Sequence, residues 1–76
     1  MSPRQPRVTA VELLRALRRD GWEIERQTGS HAQLRHPTKP GQVTLAIHAR
    51  QIVPPGTLGS ILAAAGLTPD QLRKLL

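Results

Sequence analysis

The five carboxylates of this 76-residue chain are Glu12, Asp20, Glu23, Glu25 and Asp70, so the stretch from Arg26 to Pro69 carries no acidic side chain. The same stretch holds all three histidines, His31, His36 and His48. A paired-carboxylate hydrolase, a carboxylate-bound magnesium centre and a Ser-His-Asp triad would each lack their acidic member there. With no cysteine in the chain, a thiolate nucleophile, a thiolate zinc site and a disulfide scaffold are also excluded. Histidine is left as the group that can move a proton near neutral pH. Two histidines beside a guanidinium suffice to cleave RNA without a metal: one deprotonates the ribose 2′-hydroxyl, another protonates the leaving 5′-oxygen, and the cation stabilises the charged phosphorane-like state. His31 and His48, with Arg35, are the candidates. DNA, lacking the 2′-hydroxyl, would survive. Ser30, Gln33, Arg35, Lys39 and Arg50 are the candidate RNA contacts. The spacing of the three histidines matches no established zinc-ligand pattern, so no metal or other cofactor is expected.

These side chains need a scaffold, and the sequence punctuates one clearly. Thr9-Ala10-Val11-Glu12 fits a capping box, Val8 and Leu13 occupy the staple positions, and Gly21 marks a stop, which predicts a helix from about Ala10 to Asp20. Its apolar stripe is expected on Val11, Leu14 and Leu17, with Leu13 beside them. Period-2 alternation follows: Trp22 and Ile24 oppose Glu23 and Glu25, Thr28-Gly29-Ser30 turns, and His31 to His36 alternates again with Ala32 and Leu34 inward. After the turn-rich Pro37 to Gln42, Val43, Leu45 and Ile47 form the inner face of a third strand. Pro54-Pro55-Gly56-Thr57 can start a helix that ends at Gly66, and Thr68-Pro69 with Gln71 caps a short terminal one.

The expected fold is α+β: a three-stranded antiparallel sheet with its helices on one face, in the order α-β-β-β-α plus a short C-terminal helix. Its open face should carry Glu23, Glu25, His31, Gln33, Arg35, Thr44, Ala46 and His48. The simplest register across the 37–42 turn sets His36 against Val43, Leu34 against Leu45, and His31 against His48. His31 and His48 would then face each other. His36, inward and next to Pro37, reads as a hydrogen-bonding residue at the core edge. A lone strand histidine is more often a half-exposed surface residue than a catalyst, and that reading stands beside the catalytic one for His31.

A chain this short forms one domain, expected over residues 8–76, after a flexible basic arm over residues 1–7. A net charge of +6, with nine of eleven cations being Arg, favours a phosphate-bearing or acidic partner. Trp22 is the only aromatic residue, which leaves base stacking on aromatic platforms with little to work with. No apolar run reaches membrane-spanning length and the N-terminus has no apolar signal core, so a soluble, cytoplasmic protein without membrane association is expected.

Gly21-Trp22, Thr28-Gly29-Ser30-His31, Arg35-His36-Pro37, Pro55-Gly56-Thr57-Leu58, Ile61-Leu62 and Ala65-Gly66-Leu67, in that order and spacing, resemble the HicA family from about Thr9 to Thr68. The resemblance implies an mRNA interferase toxin of a toxin-antitoxin pair, with a fold like the double-stranded RNA-binding domain and neutralised by a HicB antitoxin. It places the family's catalytic histidine, in Gly-Ser-His, on His31. Two departures stand out. Ala32 and Gln33 follow Gly-Ser-His where many members have another histidine and a bulky residue, and Ala46-Ile47-His48 lacks a proline common in the family. The competing function is a non-catalytic basic module that binds RNA or docks an acidic protein; the absence of charge from Thr57 to Gly66, in the second expected helix, argues against duplex RNA binding.

Overall fold

A computed structural model describes residues 6–48 and 50–76; residues 1–5 of the expected arm lie outside the described residues. The order is α1 (Ala10–Arg19), β1 (Glu23–Thr28), β2 (His31–Arg35), β3 (Val43–Ala46), α2 (Pro55–Ala65) and α3 (Pro69–Leu75). The strands form one antiparallel sheet in the order β1-β2-β3. This is the expected α+β architecture.

Each helix starts where its capping chemistry dictates. The Thr9 hydroxyl accepts from the Glu12 N–H at 3.1 Å and the Glu12 carboxylate accepts from the Thr9 N–H at 2.9 Å. That reciprocal pair satisfies two amides the helix itself cannot. The Thr9 backbone N–H, then its hydroxyl, and lastly the nearby Arg15 hold the Glu12 carboxyl below its ordinary range. Thr68 and Gln71 repeat the capping box on α3. Pro54 and Pro55 open α2, and Gly66, left-handed at φ 68°, closes it.

The sheet is covered on one side only. Ala32, Leu34, Val43 and Leu45 are buried, whereas His31, Arg35, Thr44 and Ala46 between them are exposed. The core is completed by Leu13 and Leu17 of α1, Leu58, Ile61, Leu62 and Ala65 of α2, Leu72 of α3, and Trp22, with α3 lying against α1. Full burial of each leucine is worth about 1.5–3 kcal/mol. The α1 stripe is rotated from the expected one: Ala10, Leu13, Ala16 and Leu17 are buried, Leu14 is half-buried, and Val11 is exposed. The two alanines let the helix approach closely along their side, which turns Val11 out.

The β2–β3 register also differs from expectation. Leu34 pairs with Val43, Ala32 with Leu45, and His31 with Ala46, two residues displaced from the pairing that would set His31 against His48. His36 supplies the reason. The residue before a proline is restricted, and here β2 ends at Arg35 while the His36 ring folds back against the core edge. Its Nδ1 accepts the Thr38 and Lys39 N–H groups, both at 3.1 Å, and its Nε2 lies 2.6 Å from the Asp20 carbonyl oxygen. With Nδ1 used as acceptor, Nε2 carries the proton and donates. The ring meets Trp22 edge-on at 5.3 Å. Taking His36 out of the ladder lengthens the connection, and Val43 then meets Leu34. The expected core-edge role of His36 is what the geometry gives.

Lys39 secures the same loop. Its Nζ donates to Asp20 Oδ2 at 2.6 Å and to the Ala65 carbonyl at 3.0 Å, tying the loop to the ends of α1 and α2. Gly21, at φ 108°, runs so close beneath His36 that a Cβ there would stand 2.7 Å from Nε2.

Candidate functional site

His31 is the first residue of β2, set at the head of the open face by the tight turn that precedes it. Gly29 turns the chain with φ 58°, and the Gln27 side-chain amide donates to the Gly29 carbonyl at 3.2 Å. On the far side the Ile47 N–H donates to the Ser30 carbonyl at 2.7 Å. The backbone on both sides of His31 is thereby held while its side chain stands exposed. Among the described residues no hydrogen bond is made by the His31 ring.

The open face is read in rows across the three strands. Thr28, His31 and Ala46 form the first row; Arg26, Gln33 and Thr44 the second; Glu23 and Arg35 begin the third. Arg26 belongs here because β1 is bulged: the register slips by one between Ile24 and Arg26, leaving Glu25 as the extra residue. A bulge reverses the parity of everything beyond it. Strict alternation from Trp22 therefore missed Arg26 as a neighbour of Gln33, diagonal to His31, and no turn or glycine signal in the sequence announces the slip.

Arg35 is differently occupied. Its Nε lies 2.6 Å from Glu25 Oε2, and it sits four residues along the strand from His31. The face is polarised as a result. Glu23 and Glu25 outnumber Arg35 and make one end net negative, whereas the end with His31, Gln33 and Arg26 has no carboxylate in its rows. Gln33 is half-buried, with its Oε1 accepting from the Gln42 amide at 3.3 Å.

The remaining candidates fall elsewhere. Lys39, half-buried, is bound to Asp20 and the Ala65 carbonyl, a structural tie and not part of the open face. His48 is exposed beyond the end of β3, so the cross-strand pair of histidines is not formed. Arg50 is exposed and takes φ 67°, a left-handed conformation that costs a non-glycine residue about 1–2 kcal/mol. Ser30 lies half-buried in the turn before His31. Among the described residues no cluster of three or more His, Cys, Asp or Glu side chains is placed to hold a metal ion, and no helix is long and apolar enough to cross a membrane.

The arrangement offers one exposed imidazole on a rigid strand, amide and hydroxyl groups beside it, and a guanidinium one diagonal away. Such a set can take a proton from a hydroxyl and stabilise a phosphate. Comparison with protein families finds that residues 10–67 match the model described as the HicA toxin of bacterial toxin-antitoxin systems. No curated relative matches the chain.

Proposed function

Because the chain belongs to the HicA family of bacterial toxin-antitoxin toxins, we propose that it is a metal-independent endoribonuclease acting on mRNA, with His31 as the catalytic residue. The observation that carries this reading is the placement of His31: exposed, unpaired among the described residues, and held from both sides by backbone contacts at the carboxylate-free end of the open face. His31 takes the proton of a ribose 2′-hydroxyl; the 2′-oxygen attacks phosphorus, the bond from phosphorus to the 5′-oxygen breaks, and a cyclic phosphate is left. His48 is the candidate to return a proton to that 5′-oxygen. Arg26, with Arg35 and Arg50 flanking, compensates phosphate charge, and Ser30 and Gln33 contact the strand. The working unit is residues 8–76, in the cytoplasm where mRNA is found. Its antitoxin is of the HicB type and covers His31 with an acidic surface, a contact that weakens with salt at its rim.

The test is end-labelled single-stranded RNA incubated in EDTA with the parent chain and with His31→Ala, both confirmed to be folded. The expected outcome is cleavage by the parent, a loss of at least about 10²-fold in the variant, and no cleavage of the all-deoxyribose strand. Equal cleavage by both chains overturns the assignment of His31. Binding without cleavage by the parent selects the RNA-binding module instead, a reading favoured by the absence of a histidine opposite His31.

A further inference from the structure

Beside β3, one strand away from His31, lies a cavity of about 250 Å³ whose walls include Ala46, His48, Gln51, Ile52, Pro54 and Thr57. Ala46 is the direct cross-strand partner of His31, so the cavity begins where the first row of the open face ends. Its volume falls just below the 300–1,000 Å³ of sites for drug-sized ligands, the scale of a single planar ring system. Its lining is mainly apolar, from Leu45, Ile52, Val53 and Pro54, with polar tips from His48, Gln51 and Thr57. Among the described residues these three side chains make no hydrogen bonds. No carboxylate contributes to the lining.

We infer that this cavity is a base subsite: it takes the unstacked nucleobase next to the scissile phosphate and gives the enzyme a preference for one base at that position. A nucleobase has apolar faces and a hydrogen-bonding edge, which matches apolar walls with polar tips. The Gln51 amide offers both a donor and an acceptor, and Thr57 a hydroxyl of either sense. Single-stranded RNA can splay a base outwards into such a site, and its identity is read on its hydrogen-bonding edges. With Trp22 wholly buried, a pocket at the edge of the sheet replaces the exposed aromatic platform that other single-strand binders use. Two backbone contacts hold its lining residues. The Gln51 N–H donates to the His48 carbonyl at 3.3 Å and the Val53 N–H to the Val8 carbonyl at 2.8 Å.

The adjacency to a scissile phosphate rests on the cleavage reading of His31, so the experiment measures binding separately from cleavage. The isotope-labelled full chain is titrated with the four nucleoside 3′-monophosphates, one at a time, and backbone amide shifts are followed by NMR. One nucleotide is expected to shift Gln51, Ile52 and Thr57 saturably and to bind at least about fivefold more tightly than the other three. Gln51→Ala and Thr57→Val should each bring that preference close to unity, and His31→Ala should retain it. No saturable shift at these residues, or equal affinity for all four nucleotides, overturns the base subsite. If base binding is seen but no RNA is cleaved, the subsite stands and the ribonuclease reading falls. If RNA is cleaved with a base preference that neither Gln51→Ala nor Thr57→Val changes, the subsite falls and the ribonuclease reading stands.

Discussion

Of the three histidines, two carry opposite roles fixed by what surrounds each ring. His36 is committed: two backbone N–H groups point at Nδ1 and a carbonyl sits at Nε2. His31 is uncommitted, and exposed. Substituting the exposed ring removes no buried contact, so His31→Ala should alter stability by no more than about 0.5 kcal/mol while abolishing RNA cleavage; thermal melts beside the cleavage assay check both. Gly21 makes the opposite case. Its backbone lies at φ 108° and a Cβ would collide with the His36 ring, so Gly21→Ala should destabilise the fold by at least about 2 kcal/mol, read as a shift in the urea midpoint. Gly21-Trp22 and Arg35-His36-Pro37, which helped to carry the family resemblance, thus earn their place through structure. The turn with Ser30 and His31 faces solvent and carries the proposed chemistry. Spacing alone could separate inward His36 from outward His31, because strand alternation reports the face. It could not say that His36 leaves the strand, since that depends on Asp20, sixteen residues away and brought close only by the fold.

The elements themselves were legible because capping boxes, prolines and left-handed glycines act locally. Both capping boxes, the Gly66 stop and all three strands lie where those signals put them, within a residue or two at the ends. What local signals do not contain is register. The Glu25 bulge and the two-residue slip of β3 are settled by how side chains from different elements pack, and they changed the neighbours of His31 from His48 to Thr28 and Ala46. Lys39 shows the same limit: by charge it is a phosphate contact, but by position it joins the loop to α1 and α2. Replacing it by Met leaves Asp20 and the Ala65 carbonyl without their donor, so Lys39→Met should cost about 1–3 kcal/mol. Its RNA affinity at low temperature should match the parent's; a weakened affinity in a fully folded variant would restore Lys39 to the RNA surface. The Thr9 capping box makes a pH prediction. Since the folded Glu12 carboxyl titrates below its ordinary range, its contribution is fully present above the unfolded value and fades as pH falls through the lower folded one. Glu12→Gln should therefore flatten the acid limb of the stability curve relative to the parent, with little change in that limb's shape near neutrality.

Across the whole molecule, cations lie on both sides, and salt can tell which of them touch RNA. The body is 18 Å thick along its shortest axis, whereas exposed charges are screened beyond about 8 Å at physiological ionic strength. Arg15 and Arg18 are exposed on the outer side of α1, the helix that covers the inner face of the sheet. RNA lying on the open face is thus more than a screening length from them and close to Arg26. Each phosphate neutralised in a single-stranded complex contributes about −0.7 to the slope of log affinity against log salt. Arg26→Ala should accordingly reduce that slope by about 0.7, measured by fluorescence anisotropy with an uncleavable RNA bearing a single 2′-deoxy residue at the cleavage site. Arg15→Ala should leave the slope unchanged, because Arg15 neutralises no phosphate of an RNA lying on the open face. Equal loss of slope from the two variants would mean that RNA wraps the helical side as well, and the open face would then be only part of the binding surface.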